Sequence, residues 1–323
     1  MKKLVLISLS ILFSISALVA QNFDYAFKED FKVSGEAQLK IKTSDGFIHL
    51  TPHNKNTVEV YFIVKKNNRY IRIDRRELED ELDLIVDQHG NRIEVSVRHP
   101  QSFGWRNWKN RLNVSFEIYA PRKTMSDLRT SDGSIDAGGF IGDQSCKTSD
   151  GDVEVYDIEG NVYAHTSDGD IIAKKINGDT ELRTSDGDVH AYSIKGYSTF
   201  KTSDGDIYME NINGNIQVGT SDGSIEFHEI AGSLKGSTSD GSIRGEIYDL
   251  SRELKLSTSD GNIEVSVPDD LGLDLYLKGE KIYTELRDFS GHSSKHKIDG
   301  RMRGGGIPVT LTTSDGRISL KYR

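Results

Sequence analysis

Hydrophobic and polar residues alternate at every second position in ten short segments that share one motif. The tetrapeptide Thr-Ser-Asp-Gly begins at Thr43, Thr130, Thr148, Thr166, Thr184, Thr202, Thr220, Thr238, Thr258 and Thr313. Five positions after each Thr stands Ile or Val: Ile48, Ile135, Val153, Ile171, Val189, Ile207, Ile225, Ile243, Ile263 and Ile318. Two further apolar columns lie seven residues after the Thr and two residues before it. This alternation predicts strands with one buried face.

A second turn divides each repeat. The six intervals between Thr130 and Thr238 are each 18 residues, and a glycine recurs nine residues after the motif glycine, at Gly142, Gly160, Gly178, Gly196, Gly214 and Gly232. Pro121 and Pro268 bracket the regular repeats, and no proline lies between them, as expected where every backbone N–H joins a ladder. We therefore predict an all-β chain: a parallel β-solenoid, similar to a β-helix or β-roll, with about 18 residues per coil.

The flanks break the period, and we expect them to form atypical β caps over the open ends of the solenoid. The predicted organisation is a signal peptide at 1–20, an N-terminal cap region at 21–125, regular repeats at 126–267 and a C-terminal cap with the final repeat at 268–323. Strands are expected at Val58–Val64, 113–120 and Leu273–Leu277, a helix at Arg75–Glu81, and a hairpin that pairs Leu82–Val86 with Arg92–Val97.

The first 20 residues have the pattern of an export signal. Lys2 and Lys3 precede an apolar run from Leu4 to Val19, which ends at the small residue Ala20. Sixteen apolar-rich residues are short for a membrane span. We expect an exported protein, in the periplasm, on the outer cell surface or secreted, and not an integral membrane protein.

Composition and charge exclude several classes of function. The formal net charge is −9, so the chain lacks the basic excess that a nucleic-acid partner requires. The single cysteine, Cys146, excludes an intramolecular disulfide and a cysteine-cluster metal site. It lies in the apolar column two residues before the Thr, so we interpret it as a small core residue.

The repeated Thr-Ser-Asp-Gly-(Asp/Ser/Asn)-(Ile/Val) units resemble the bacterial putative-adhesin family of unknown function and the related head domain of autotransporter adhesins. The isolated unit at 43–50, the Gly-Asn-Arg-Ile-Glu-Val stretch at 90–95 and the closing unit that follows Gly305 and Gly306 fit the layout of that family. The resemblance covers roughly residues 33–323. It implies an exported, repetitive β-protein of the cell envelope, and it supplies no catalytic residues.

Stacked repeats would align two columns of aspartates. Carboxylates about 4.8 Å apart repel by ~0.9 kcal/mol at the dielectric of water. One interpretation is local: each Asp accepts hydrogen bonds from its own turn, and the basic column just before each Thr supplies counter-charge. The alternative is a calcium-stabilised β-roll in which Ca²⁺ bridges successive coils. Its ligands would be Asp150, Asp152, Asp168, Asp170, Asp186, Asp188, Asp204 and Asp206.

One irregular segment combines aromatic and basic side chains. Residues 101–111 contain both tryptophans and three basic residues, a composition that suits glycan stacking or cation–π contacts. The candidate binding residues are Phe103, Trp105, Arg106, Trp108, Lys109 and Arg111. Alternatively, the rings plug the open end of the core.

No catalytic motif stands out from the repetition. There is no Gly-x-Ser-x-Gly and no His-Glu-x-x-His, and the acids recur in every coil. We predict a non-catalytic scaffold or adhesin-like protein, without a cofactor, that presents an extended repetitive surface to an envelope or extracellular protein or glycan. The alternative is a polysaccharide-active enzyme on a β-helix.

Overall fold

The computed structural model describes residues 24–100 and 111–323, and the fold is all-β apart from one short helix. The 27 strands of these described residues belong to a single nearly closed, barrel-like sheet. The proposed signal peptide lies outside the described residues.

The N-terminal part confirms the strands, the helix and the hairpin predicted for it. Its elements are β1 (Phe27–Lys32), β2 (Ala37–Lys42), β3 (Ile48–His53), β4 (Thr57–Lys66), β5 (Arg69–Tyr70), α1 (Arg75–Glu81), β6 (Asp83–His89), β7 (Arg92–Arg98) and β8 (Leu112–Pro121). Strands β4 and β8 pair antiparallel, as do β6 and β7. Asp74 caps α1 through a capping box with Glu77.

The middle part consists of strands that pair in parallel with strands one repeat away. Its elements are β9 (Thr124–Arg129), β10 (Ile135–Gly138), β11 (Gln144–Lys147), β12 (Val153–Glu159), β13 (Val162–His165), β14 (Ile171–Asn177), β15 (Thr180–Arg183), β16 (Val189–Lys195), β17 (Ser198–Lys201), β18 (Ile207–Gly219), β19 (Ile225–Ser237), β20 (Ile243–Ser257) and β21 (Ile263–Val267). Val153 pairs with Ile171, and Ile171 pairs with Val189. The pairing register therefore follows the 18-residue period.

The C-terminal part contains both antiparallel and parallel strand pairs. Its elements are β22 (Leu273–Lys278), β23 (Lys281–Tyr283), β24 (Phe289–Ser293), β25 (Lys297–Met302), β26 (Ile307–Thr312) and β27 (Arg317–Tyr322). Strand β25 pairs antiparallel with β22 and with β24, whereas β27 continues the parallel pairing below β21.

The parallel strands form two ladders with one core between them. The first ladder runs through β3, β10, β12, β14, β16, the first halves of β18, β19 and β20, and then β21 and β27. The second ladder runs through β7, β2, β9, β11, β13, β15, β17, the second halves of β18, β19 and β20, and then β26. All ten Ile and Val residues of the predicted column are at most 1% exposed and belong to one core cluster. Cys146 is fully buried in the same core.

The core contains one further column that the alternation of residues did not predict. Its six residues lie ten positions after the motif Thr and are at most 1% exposed: Phe140, Ile158, Ile176, Ile194, Ile212 and Ile230. Strict alternation would direct this position outward. The residue just before it, such as Asp157 or Lys175, adopts φ of 54° or 55°, and this left-handed residue shifts the alternation by one. The 18-residue recurrence of Ile was the signal that could have revealed the column.

The threonine and the glycine of the motif join successive repeats. Thr148 donates its hydroxyl to the carbonyl oxygen of Gly133 in the preceding repeat (2.9 Å) and accepts the N–H of its own Gly151 (3.4 Å). The hydrogen bond to Gly133 runs along the stacking direction and joins the two repeats. A Cβ on Gly151 would lie 2.7 Å from the backbone nitrogen of Ser134. This glycine is therefore required by close stacking, and not by a special turn conformation.

Candidate functional site

The two predicted aspartate columns line the turns between the ladders. The first column consists of the motif aspartates, of which Asp150, Asp168, Asp186 and Asp204 are exposed. Near the start of this column, burial and the neighbouring charges of Asp45 and Asp150 raise the pKa of Asp132. Repulsion between neighbouring carboxylates of the column thus contributes to the raised pKa of Asp132.

The second column forms hydrogen bonds that differ from those expected. Asp152 accepts the backbone N–H of Asp170 in the next repeat (3.0 Å), and Asp170 in turn accepts that of Asp188 (2.8 Å). Asp188 accepts from Asp206 (2.7 Å). The interpretation that each Asp accepts from its own turn is therefore wrong for this column. Because successive repeats stack as neighbouring strands, the backbone N–H of the following repeat lies within hydrogen-bonding distance of the carboxylate. In its own turn, the threonine hydroxyl already accepts a backbone N–H.

Calcium binding by the two columns stays a prediction. Within residues 24–100 and 111–323, no three His, Cys, Asp or Glu side chains come together in an arrangement that could hold a metal ion. One carboxylate oxygen of each residue in the second column already accepts a backbone N–H.

The basic column just before each Thr was expected to neutralise the motif aspartates, and it does not. Arg129 pairs with Asp127 (2.7 Å) and Arg183 with Glu181 (2.5 Å). In the described chain, neither Lys147 nor any other member of this column forms an ion pair with a motif aspartate. The reason is geometric: residues two apart on one strand share a face, whereas the motif aspartates lie beyond a turn.

A groove with a volume of about 750 Å³ crosses the outer face of the second ladder. Its floor is formed by outward-facing residues three positions before the Thr: Lys40, Asp127, Ser145, Tyr163, Glu181 and Thr199. One wall is formed by residues five positions before it: Gln38, Met125, Asp143, Asn161, Asp179 and Tyr197. The groove therefore runs perpendicular to the strands, across several repeats. The sequence did not predict this groove, although the repeat columns contain all of these residues.

Backbone hydrogen bonds hold the polar wall of the groove in place. Asp143 accepts the N–H of Asn161 (2.8 Å), Asn161 accepts that of Asp179 (2.9 Å), and Asp179 accepts that of Tyr197 (3.0 Å). Each side chain keeps a second polar atom for a ligand. Tyr163 is 38% exposed and Tyr197 is 42% exposed, so both rings offer a face to the groove.

Ion pairs reduce the charge of the groove floor. Asp127 and Glu181 are paired with arginines of the neighbouring column, and Lys40 pairs with Glu94 (2.7 Å). Exposed aromatic faces, fixed amide and carboxylate groups and paired charges are suited to a polar ligand with little net charge.

Five of the predicted binding residues, Phe103, Trp105, Arg106, Trp108 and Lys109, lie outside the described residues. Arg111 is described and precedes β8. Burial and the neighbouring acids raise the pKa of Asp132, and the positive charge of Arg111 opposes them with a smaller effect. Arg111 is thus close to the start of the first aspartate column, and its predicted binding role is untested.

A group of half-buried acids lies at the start of the first ladder. His49 and Glu117 are 3.2 Å apart, and hydrogen bonding to Glu117, opposed by burial, raises the pKa of His49. Burial raises the pKa of Asp136, the charge of His49 opposes it, and Glu154 and Glu117 raise it further. A carboxyl group with a raised pKa beside other carboxylates is the kind of pair that acid–base chemistry uses.

None of the helical segments in the described part of the chain combines the length and apolar character of a membrane span.

Comparison with known proteins finds one matching family and several similar solved structures. The sequence profile of a family described as Toastrack DUF4097 matches residues 34–321. No curated protein matches the chain. A solved structure of a putative adhesin from Bacteroides fragilis NCTC 9343 is similar, with 15% identity over 75% of this chain and 96% of that chain and a TM-score of 0.43.

Two further solved structures are similar at comparable levels. A putative lipid binding protein from Parabacteroides distasonis ATCC 8503 is 16% identical over 74% of this chain and 96% of that chain, with a TM-score of 0.44. A putative adhesin from Parabacteroides merdae ATCC 43184 is 12% identical over 74% of this chain and 95% of that chain, with a TM-score of 0.38.

Proposed function

Because the chain belongs to the Toastrack DUF4097 family, we propose that it is an exported, non-catalytic, adhesin-like protein that binds a linear glycan along the groove of its second ladder. The groove itself carries this proposal. It is long, it crosses several repeats, and it combines two exposed tyrosine faces with a wall of fixed polar groups. Sugar rings have apolar C–H faces and hydroxyl edges, and these two kinds of surface match such a groove.

Export and architecture belong to the same proposal. Lys2, Lys3 and the apolar run that follows support cleavage of a signal peptide. Parallel pairing at an 18-residue register supports a parallel β-solenoid with about 18 residues per coil, which would relate the chain to autotransporter-adhesin heads. A rigid stack of this kind presents repeated groups at a fixed spacing, which favours an extended partner. Mass spectrometry of the mature N-terminus tests the cleavage.

The binding experiment compares two groove variants with a matched control. Tyr163→Ala and Tyr197→Ala remove the two ring faces, whereas Tyr276→Ala removes a tyrosine of similar exposure (38%) on β22, away from the groove. A panel of neutral envelope and extracellular oligosaccharides is titrated calorimetrically against each protein. We expect at least one oligosaccharide to bind the wild type and Tyr276→Ala alike.

Each groove variant should lose about tenfold in affinity, which corresponds to ~1.4 kcal/mol, with an unchanged unfolding temperature. Binding that survives both groove substitutions would refute the proposed site. If no oligosaccharide of the panel binds the wild type, the proposal that the groove binds a glycan is refuted.

A second function, glycan cleavage, is favoured by one observation: Asp136 has a raised pKa and lies beside His49 and two glutamates. Retaining and inverting glycosidases use a pair of carboxyl groups of this kind. The same oligosaccharide panel is assayed for new reducing ends. Cleavage by the wild type that is lost in Asp136→Asn would show that the protein is an enzyme. If no oligosaccharide of the panel is cleaved, the result favours the binding function.

A further inference from the structure

A patch of aromatic and acidic side chains lies on the outer face of the first ladder, separate from the groove. We call it the tyrosine–glutamate patch, and it consists of His190, Tyr192, Tyr208, Glu210, Glu226 and His228. These residues lie on three consecutive strands, β16, β18 and β19, and they face outward between buried neighbours. The strands place them in register, so that Tyr192 pairs with Glu210, and Tyr208 pairs with both His190 and Glu226. Glu210 therefore lies between two rings, and Glu226 lies beside the ring of Tyr208.

The rings of the patch form a continuous platform. The ring centroids of Tyr192 and Tyr208 are 5.6 Å apart, and those of Tyr208 and His228 are 5.9 Å apart. The planes of both pairs are tilted by 43–44°, so that the rings form shallow notches. His190 continues the platform at 6.4 Å from Tyr208.

The carboxylates are held beside the rings. Tyr208 donates its hydroxyl to Glu210 (3.0 Å), and the ring of His228 lies 3.1 Å from Glu226. Burial and the hydrogen bond to Glu210 raise the pKa of Tyr208, so its hydroxyl remains a donor at neutral pH. In the described part of the chain, no lysine or arginine forms an ion pair with Glu210.

The cations on either side of the patch already have partners. Lys174, next to Tyr192 on β14, pairs with Glu154 (2.9 Å). Arg244, next to Glu226 on β20, pairs with Glu264 (3.9 Å). The negative charge of Glu210 is therefore not compensated, but it is confined to the middle of the patch. A ligand with one or two positive charges matches this single uncompensated carboxylate better than an extended polycation does.

We propose that the tyrosine–glutamate patch binds the protonated amino group of an amino sugar, such as a glucosamine residue within a glycan. A tyrosine face attracts an ammonium group through cation–π interaction, and Glu210 provides a charge-assisted hydrogen bond. The remaining ring faces stack on the C–H surface of the neighbouring sugar. This site is independent of the groove, so the chain has binding faces on both ladders and can bridge two glycan strands.

The test compares the glucosamine disaccharide with its N-acetylated form. The two ligands have the same sugar rings and differ at the nitrogen, which is a positively charged amine in the first and a neutral amide in the second. We expect the glucosamine disaccharide to bind at least tenfold more tightly to the wild type, as measured by calorimetry. Equal affinity for the two ligands would overturn the proposal.

Variants assign the binding to named side chains. Tyr208→Ala should reduce the affinity for the glucosamine disaccharide at least tenfold, whereas Tyr208→Phe, which keeps the ring face, should stay within about threefold of the wild type. Glu210→Gln should abolish the preference for the free amine. Glu280→Gln, which changes an exposed glutamate near the C-terminal end, should leave binding unchanged.

Three other results would contradict the proposal. Glu210→Gln could retain the full preference for the free amine, Tyr208→Phe could lose as much affinity as Tyr208→Ala, or polylysine could bind while the glucosamine disaccharide does not. The last result would assign the patch to a basic protein. If the glucosamine disaccharide binds at the patch but no oligosaccharide binds in the groove, the function proposed for the groove is refuted and the patch proposal stands.

Discussion

Replacing one stacked glycine tests whether close contact between repeats holds the ladders together. The change is Gly169→Ala. Its new Cβ would lie 2.5 Å from the carbonyl carbon of Gly151 and 2.9 Å from the nitrogen of Asp152, and still closer to the oxygen of Gly151. An ordinary contact is at least 3.4 Å, so the two repeats must separate locally by about 1 Å.

That separation breaks hydrogen bonds between the repeats. Ser167 and Asp168 donate their N–H groups to the oxygen of Ser149 at 2.8 and 2.9 Å, and Thr166 donates its hydroxyl to Gly151 at 2.9 Å. Each bond would lengthen to about 3.8 Å, beyond hydrogen-bonding distance. Three bonds at ~1 kcal/mol each, together with strain from overpacking, give a loss of about 3–5 kcal/mol in the free energy of unfolding.

The assay is thermal and urea unfolding followed by circular dichroism, with Gly219→Ala as the control. A Cβ on Gly219 would have no neighbour closer than 3.6 Å, so this variant should remain within about 0.5 kcal/mol of the wild type. For Gly169→Ala we expect the unfolding temperature to fall by at least about 6 °C. Equal unfolding temperatures for the two variants would refute the reasoning.

Three further predictions concern pH, the thiol and calcium. Burial opposes the ionisation of Glu59, but hydrogen bonds from Lys55 and Lys28 outweigh it and lower its pKa from 4.5 to about 2. The ionised carboxylate should therefore raise the free energy of unfolding above pH 4.5, relative to Glu59→Gln. In acid titrations, this difference between the two proteins should disappear as the pH falls through about 2. A difference that stays constant with pH would contradict the prediction. Burial raises the pKa of the Cys146 thiol to about 12, so a thiol reagent at pH 8 should react only after the addition of denaturant, and rapid labelling of the native protein would show that this thiol is accessible. If calcium bridges the aspartate columns, a chelator should lower the unfolding temperature and Ca²⁺ should restore it, whereas an unchanged temperature would remove the calcium hypothesis.

The residue columns predicted much of the local structure. Because side chains alternate along a strand, Ile171 and its equivalents had to share a face, and a shared 18-residue period brought them into one buried column. The helix at Arg75–Glu81 was predicted from its run of charged residues, and the structure shows that Asp74 caps it. Both inferences start from patterns of neighbouring residues, which are visible in the sequence.

The candidate sites were harder to predict. Tyr163 and Tyr197 lie 34 residues apart in the sequence, and they share a groove only because parallel pairing brings their strands together. The basic column was wrongly paired with the motif aspartates, because the sequence gives spacing along the chain but not direction across a turn. Arg129 selects Asp127 because the two residues lie on the same face of β9.

The sequence by itself determined the period, the buried stripe and the strand-forming segments, since each follows from local chemistry repeated at a fixed spacing. Only the tertiary structure decided where the two isolated motifs belong. Thr130 donates its hydroxyl to Gly46, across 84 residues, and Thr313 donates to Gly261, across 52 residues. The intervening segments leave the stack and return, so that all ten motifs form one column. The physical reason is that closing a long loop costs little more entropy than closing a short one, and an unpaired ladder edge gains hydrogen bonds from any strand of matching register.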